Sequence, residues 1–464
     1  MKEKSLSKLT FKTKYSFGIG ALGKDLCYQI VVCYLMIYLT DTIGLKPAFV
    51  GTLFLLAKIC DALNAPMMGM VIDNTKSKYG KFRPWILIGT LINSVVLILL
   101  FTKPNISGTG LYIYFSIVYI LWGMTYTIED ISYWSMLPSL SRTKQERDKM
   151  SVIPRIFASF ATLIVGSAGL WIINRLGSGN DILGYSKISM AIAVAFIITA
   201  LITVINVKDK STLLKDNEKV KAHKTSIKRA FKIVWKNDQL RVFIGVVLCS
   251  NLVVRFYSGL AIYYFKYVVG NSNMYSVFTG CAATAEMLGL FLYPLLSKTI
   301  GRLNVFRIAS FIPAIGLIVL LVGGFIVPSN TILIGLSGAM CKLGSGFTAG
   351  ITTVMIADVI DYGEYKFGTR NESIIASFQT LLVKIASAVV GLAVGVGLTL
   401  VGYVANAVQT APTILGMKVL MIGVPSVITI LSYIIYRKGY KLEGEYQDKI
   451  IEELNLRREK GLTV

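Results

Sequence analysis

Long apolar runs separated by short polar connections set the pattern of this chain. A helix crossing a bilayer needs about 20 mostly apolar residues at 1.5 Å each. Runs of that kind are predicted near residues 17–40, 46–72, 84–102, 111–138, 152–174, 187–206, 240–268, 274–297, 305–326, 331–358, 373–402 and 416–437. An all-α, polytopic membrane protein of twelve spans is expected. The connections at 73–83, 141–151, 207–238, 298–304 and 359–372 are rich in Lys and Arg, and those near 41–45, 103–110, 175–186, 269–273 and 403–415 are poor in them. Cationic connections stay on the cytoplasmic side, so both termini are expected in the cytoplasm. The first run, preceded by Lys2, Lys4, Lys8, Lys12 and Lys14, is long and lacks a small-residue cleavage pattern. It is expected to remain as a span.

The most polar interior stretch, with KVKAHKTSIKRAFK at its heart, divides the spans six and six. Expected domains are an N-terminal six-helix bundle over 1–206, a cytoplasmic loop over 207–238, a C-terminal six-helix bundle over 239–437 and a cytoplasmic tail over 438–464. Two such sets are the plan of a transporter built from repeats. The repeat is faint: Gly301, Arg302 and Arg307 echo Gly80, Lys81 and Arg83 at the ends of corresponding spans.

Composition strengthens this reading and removes others. Hydrophobic residues make up 54% of the chain and charged ones 16%, where soluble domains carry about 25% charged residues. The formal charge of +23 gathers in the connections, with no basic face or aromatic platform, so nucleic acid is not an expected partner. The six cysteines all fall in apolar runs without a CxxC pair and read as small buried hydrophobes. The single histidine, His223, lies in the polar loop, which leaves none for an intramembrane proton relay. No nucleophile elbow, phosphate-cradling glycine loop or metal-ligand cluster occurs in the connections, so no enzyme and no cofactor are expected. A sensor would need a signalling domain, and a channel a repeated pore motif.

Charges inside the runs mark function by default, because burying them in hydrocarbon is costly. Lys24 and Asp25 are adjacent in the first run and point about 100° apart on a helix, so Asp25 should seek a partner elsewhere. In the second, Lys58, Asp61 and either Asn64 or Ala65 share a face, placing a cation within helical reach of Asp61 and a second oxygen one turn on. The fourth run reads TYTIEDISYW, where Tyr126, Thr127, Asp130 and Trp134 follow helical spacing. Aromatic planes beside a carboxylate suit a sugar, whose apolar face stacks while its hydroxyls donate. Glu129 points away from that face. Arg155, just after Pro154, suits a sugar hydroxyl pair or a carboxylate such as Asp25. Arg255, Lys266, Glu286 and Lys384 are further charges in the second half, Lys384 one turn after Gln379 and Thr380.

The runs GKDLCYQIVVCYLMIYLTD, GTLFLLAKICDALNAPMMG, KYGKFRPWILIGT, TYTIEDISYWSMLPSL, IPRIFAS, IADVIDYGEYKFGTRNES and FQTLLVKIAS, in this order over nearly the whole chain, resemble the melibiose permeases. These are glycoside-pentoside-hexuronide:cation symporters within the major facilitator superfamily. The resemblance implies two six-helix bundles in the cell membrane, a mid-membrane sugar site and alternating access coupled to Na+, Li+ or H+. It places galactoside-binding positions on Lys24, Asp25, Tyr126, Asp130, Trp134 and Arg155, with Trp122, Gln379, Thr380 and Lys384 nearby. Of the family's cation site, Asp61, Asn64 and Thr127 are present, but the second carboxylate's position is Ala65. That loss should weaken a monovalent-cation site and leaves uniport or exchange as the alternative to symport. Expected partners are a small sugar, a monovalent cation and membrane lipid, with a cytoplasmic regulatory protein left open.

Overall fold

The computed structural model describes residues 10–75, 77–140, 144–207, 235–327, 329–368 and 372–459. His223 and most of the expected central loop lie outside them. Among the described residues, twelve helices are long and apolar enough to cross a membrane. They are α1 (Phe11–Thr42), α2 (Pro47–Ile72), α3 (Arg83–Leu100), α4 (Thr109–Leu137), α5 (Val152–Gly177), α6 (Asp181–Asn206), α7 (Asp238–Val268), α8 (Asn273–Ile300), α9 (Arg302–Gly324), α10 (Thr331–Phe367), α11 (Phe378–Leu400) and α12 (Ala411–Gly439). A shorter polar helix, α13 (Gly444–Glu459), follows.

Helices are what a chain in hydrocarbon must form, since every backbone polar group has to be satisfied internally. The ends are specified locally. Asn180, Asn237 and Asn330 cap α6, α7 and α10, each side chain accepting from backbone N–H groups of the first turn. Pro47, Pro84 and Pro412 stand in first turns, where a missing N–H costs nothing. Large apolar side chains face outward, among them Leu400 at 81% exposure and Phe291 at 70%, as lipid-facing positions require.

The chain divides into two compact units. The first comprises Met1–Glu218 with Gly395–Val408, and the second Lys219–Val394 with Gln409–Val464. In the first unit α1 packs on α5 and α6, α3 on α4 and α6, and α2 on α4. The segment from Gly395 to Val408 is tied in by the Tyr403 hydroxyl, which donates to the Asp41 carboxylate, and by the Asn406 amide, which donates to the Asp41 carbonyl at 2.5 Å. In the second unit α10 packs on α8 and α9, and α7 packs on α12. Small residues let these helices approach closely: a Cβ at Gly338 of α10 would lie 2.3 Å from the carbonyl oxygen of Phe278 on α8. The first spans of the two units, α1 and α7, both finish in a five-residue π-turn, Tyr38–Thr42 and Tyr264–Val268.

The largest departure from the hydropathy pattern is at α10, expected to end at 358 and helical to Phe367. Polar side chains of the extra turns bond within the second unit, and so does Asp358, the last residue of the expected run. Asp358 receives Arg302 at 2.7 Å, Tyr440 at 2.8 Å and Gln447 at 3.0 Å, and Lys366 pairs with Asp238 at 2.9 Å. Gly368, at φ +66°, ends the helix in a left-handed conformation. These bonds also seat α13, whose Ile450 and Leu454 are buried with Leu442 in the core of this unit.

Candidate functional site

The first unit holds a charged and aromatic cluster built on α1 and α4. Lys24 is buried, and its ammonium donates to Asp130 at 2.6 Å. It does not reach for the interface. The same ammonium lies 4.9 Å from the Trp134 ring centroid and 5.2 Å from that of Tyr133, both cation–π distances. Asp130 is the open side of this pair, with its side chain 37% exposed against 3% for Lys24. A buried cation thus pins a carboxylate that still presents oxygen outward, an arrangement suited to accepting ligand hydroxyls.

A wall of rings adjoins it. Tyr126, one turn before Asp130, stacks on Trp122 at 5.5 Å and meets Tyr28 of α1 at 5.4 Å, and Trp122 stacks on Tyr119 at 5.9 Å. Trp122 is 2% exposed, so its place is behind the wall and not on its face. Asp25 and Arg155, expected as possible partners, are not paired. Asp25 is half-buried, Arg155 is exposed, and neither makes an ion pair among the described residues.

Two of the expected cation residues, Asp61 of α2 and Thr127 of α4, meet. The Thr127 hydroxyl donates to the buried Asp61 carboxylate, and the Asn64 amide donates to the Met124 carbonyl at 3.2 Å. Lys58, within helical reach of Asp61, does not pair with it: a donor reaches Asp61 from the neighbouring helix, and Lys58 has no ion pair among the described residues. Asp61, the free oxygen of the Asn64 amide and the Thr127 hydroxyl are the oxygens on hand for a monovalent cation. Ala65 adds none. No group of three or more His, Cys, Asp or Glu side chains suited to a metal occurs among the described residues.

Gln379, Thr380 and Lys384 lie on α11 in the second unit, Gln379 and Lys384 half-buried and Thr380 exposed. Glu286 of α8 is engaged in the same unit, by Lys342 at 3.0 Å and Ser345 at 3.0 Å. Its oxygens are therefore committed to α10.

Four residues at these sites escaped the sequence reading. Tyr28 and Tyr133 look like ordinary membrane aromatics until the helices are packed. Lys342, a lysine within an apolar run, carried the same signal as Glu286. Asn93 sits mid-span on α3, where its amide donates to Trp122 at 2.9 Å and Thr125 at 2.8 Å and its oxygen accepts from Cys27 at 3.1 Å. A polar residue in the middle of an apolar run was the available clue.

Residues 16–444 match the model of a family described as MFS/sugar transport protein. The isoprimeverose transporter of Lactiplantibacillus pentosus is 30% identical over 448 residues, covering 95% of this chain and 92% of that one. The raffinose carrier protein of Pediococcus pentosaceus is 27% identical, covering 94% of this chain and 70% of that one. A crystal structure of a D-xylose-proton symporter shares the fold, with a TM-score of 0.69 at 14% identity over 93% of this chain and 98% of that one. Twelve spans in the expected places and a family match over nearly the whole length agree: this chain belongs to the MFS/sugar transport family and is a multi-pass sugar transporter of the glycoside-pentoside-hexuronide:cation symporter type.

Proposed function

We propose that the chain carries a glycoside, melibiose or another α-galactoside, across the cell membrane by alternating access, with both termini in the cytoplasm. The observation that carries this reading is the Lys24–Asp130 pair at 2.6 Å, open on the Asp130 side and flanked by the rings of Tyr126 and Trp134. Asp130 accepts sugar hydroxyls, Lys24 orients it, and the rings offer stacking planes. Asp25, next to Lys24 on α1, borders the same site, and the family resemblance adds Arg155 of α5. Relatives named as isoprimeverose and raffinose transporters support a glycoside as cargo.

Coupling to Na+, Li+ or H+ runs through Asp61, with Asn64 and Thr127 as neighbours. A second reading, an uncoupled uniporter or sugar exchanger, is favoured by Ala65, which supplies no oxygen one turn from Asp61. Uptake of a panel of labelled glycosides into membrane vesicles, under imposed Na+ or proton gradients, separates these. Accumulation that follows one gradient establishes symport and its ion. Equilibration without accumulation establishes the uncoupled form, and transport of no glycoside rejects both.

A further inference from the structure

Glu129 and Asp130 are neighbours on α4 with opposite surroundings. Asp130 is the open member of its ion pair, whereas Glu129 is 2% exposed. Gly89 of α3 lies against the Glu129 backbone, so closely that a Cβ there would stand 2.9 Å from the Glu129 nitrogen. Glu129 Oε2 is wholly buried and has no hydrogen-bond partner among the described residues. Beside Gly89, the Thr90 hydroxyl is also buried without a partner. A carboxylate held this way is costly unless a cation compensates it.

The titratable groups that interact with it are Lys24, Asp25 and Cys27 from α1 and Tyr126, Asp130 and Tyr133 from α4, and Gly89 of α3 packs on its backbone. Lys24 is the one cation in this set, against three carboxylates. Its ammonium lies 5.2 Å from the ring of Tyr133, which is one turn after Glu129 on the same helix face. An ammonium has three donors, and the hydrogen bond to Asp130 uses one of them.

We propose that Glu129 is the second counter-ion of Lys24, sharing the ammonium with Asp130 while the open oxygen of Asp130 accepts a ligand hydroxyl. That last condition rests on the glycoside reading; the pairing itself does not. A sugar hydroxyl donating to Asp130 draws on the charge that compensates the buried lysine. With Glu129 behind it, the lysine keeps Asp130 in place and remains compensated through the transport cycle. Glu129 is thus a positioning residue, acting on the sugar only through Lys24.

The test needs no ligand, because Asp130→Asn removes the negative charge that first compensates Lys24 and keeps an amide oxygen able to accept its hydrogen bond. Thermal unfolding of the purified full chain in detergent is compared for wild type, D130N, E129Q, the D130N/E129Q double variant, and that double variant with Lys24→Met added. The double variant is expected to lose more apparent Tm than the two single losses together, K24M to recover most of the excess, and Glu129→Asp in the D130N background to retain the stability that E129Q loses. Additive single losses, or no recovery with K24M, overturn the proposal. If the double variant does not fold, folded yield decides: recovery in the triple variant supports the proposal and equal failure overturns it. A chain that transports no glycoside would defeat the functional reading and leave this result standing.

Discussion

The hydroxyl of Thr127 on α4 is bonded to the carboxylate of Asp61 on α2, and both residues are buried. Removing a hydrogen bond to a buried charged group costs about 1.5–3 kcal/mol. Thr127→Val, which keeps the shape and deletes the donor, should therefore lower thermal stability measurably in detergent. An unchanged apparent Tm would mean that Asp61 does not depend on this bond.

Ala65 lies one helical turn after Asp61, where a carboxylate would face the same space. Ala65→Asp should strengthen Na+ dependence, shifting half-maximal stimulation of glycoside uptake to lower Na+ concentration. Uptake by the variant that responds to Na+ as wild type does would detach Asp61 from coupling.

Gly338 lets α10 approach α8 so closely that a methyl group would meet the Phe278 carbonyl oxygen at 2.3 Å. Gly338→Ala must push the two helices apart, at a cost of about 1–3 kcal/mol. The readout is apparent Tm of the purified chain, compared with Gly423→Ala, where the nearest atom, Val419 Cγ1, would lie at 3.6 Å. Equal effects would contradict close packing at Gly338.

Past the last span, the Glu443 carboxylate accepts from the Tyr436 hydroxyl beside the seat of α13. Burial pushes its pKa above the ordinary 4.5, and the Tyr436 bond and the nearby Arg302 only partly oppose this. A carboxyl with a raised folded-state pKa favours the folded arrangement fully below its ordinary value, and that contribution is lost as pH rises through the raised one. Amide exchange in α13, corrected for intrinsic rate, should thus accelerate as pH rises through this window. Glu443→Gln should flatten the dependence, and an unchanged dependence in that variant would locate the titration elsewhere.

Much of the fold was legible because lipid leaves a chain few options. All twelve spans could be placed from runs of apolar residues, and α10 runs past its expected end where the polar Lys366 finds Asp238. Lys24, Asp61, Asp130 and Trp134 stood out as charges or a ring in the wrong medium, whereas Tyr28, Tyr133 and Asn93 passed unnoticed. The pairings were not legible. Helical spacing offered Lys58 to Asp61 and set Lys24 beside Asp25, but the bonds formed run between helices, from Thr127 to Asp61 and from Lys24 to Asp130. Periodicity within one helix carries no information about which neighbour it meets. Glu129 shows the same limit: its spacing set it off the sugar-facing stripe, and only packing against Gly89 shows it buried without a partner.

The central claim, that Asp130 held by Lys24 receives a glycoside, is tested most directly by exchange of labelled α-galactosides (melibiose, raffinose and methyl α-galactoside) across proteoliposomes bearing wild type or Asp130→Asn. The account predicts exchange of at least one of them by wild type and its loss in a variant that remains folded. Undiminished exchange by Asp130→Asn, or exchange of none by wild type, would contradict it.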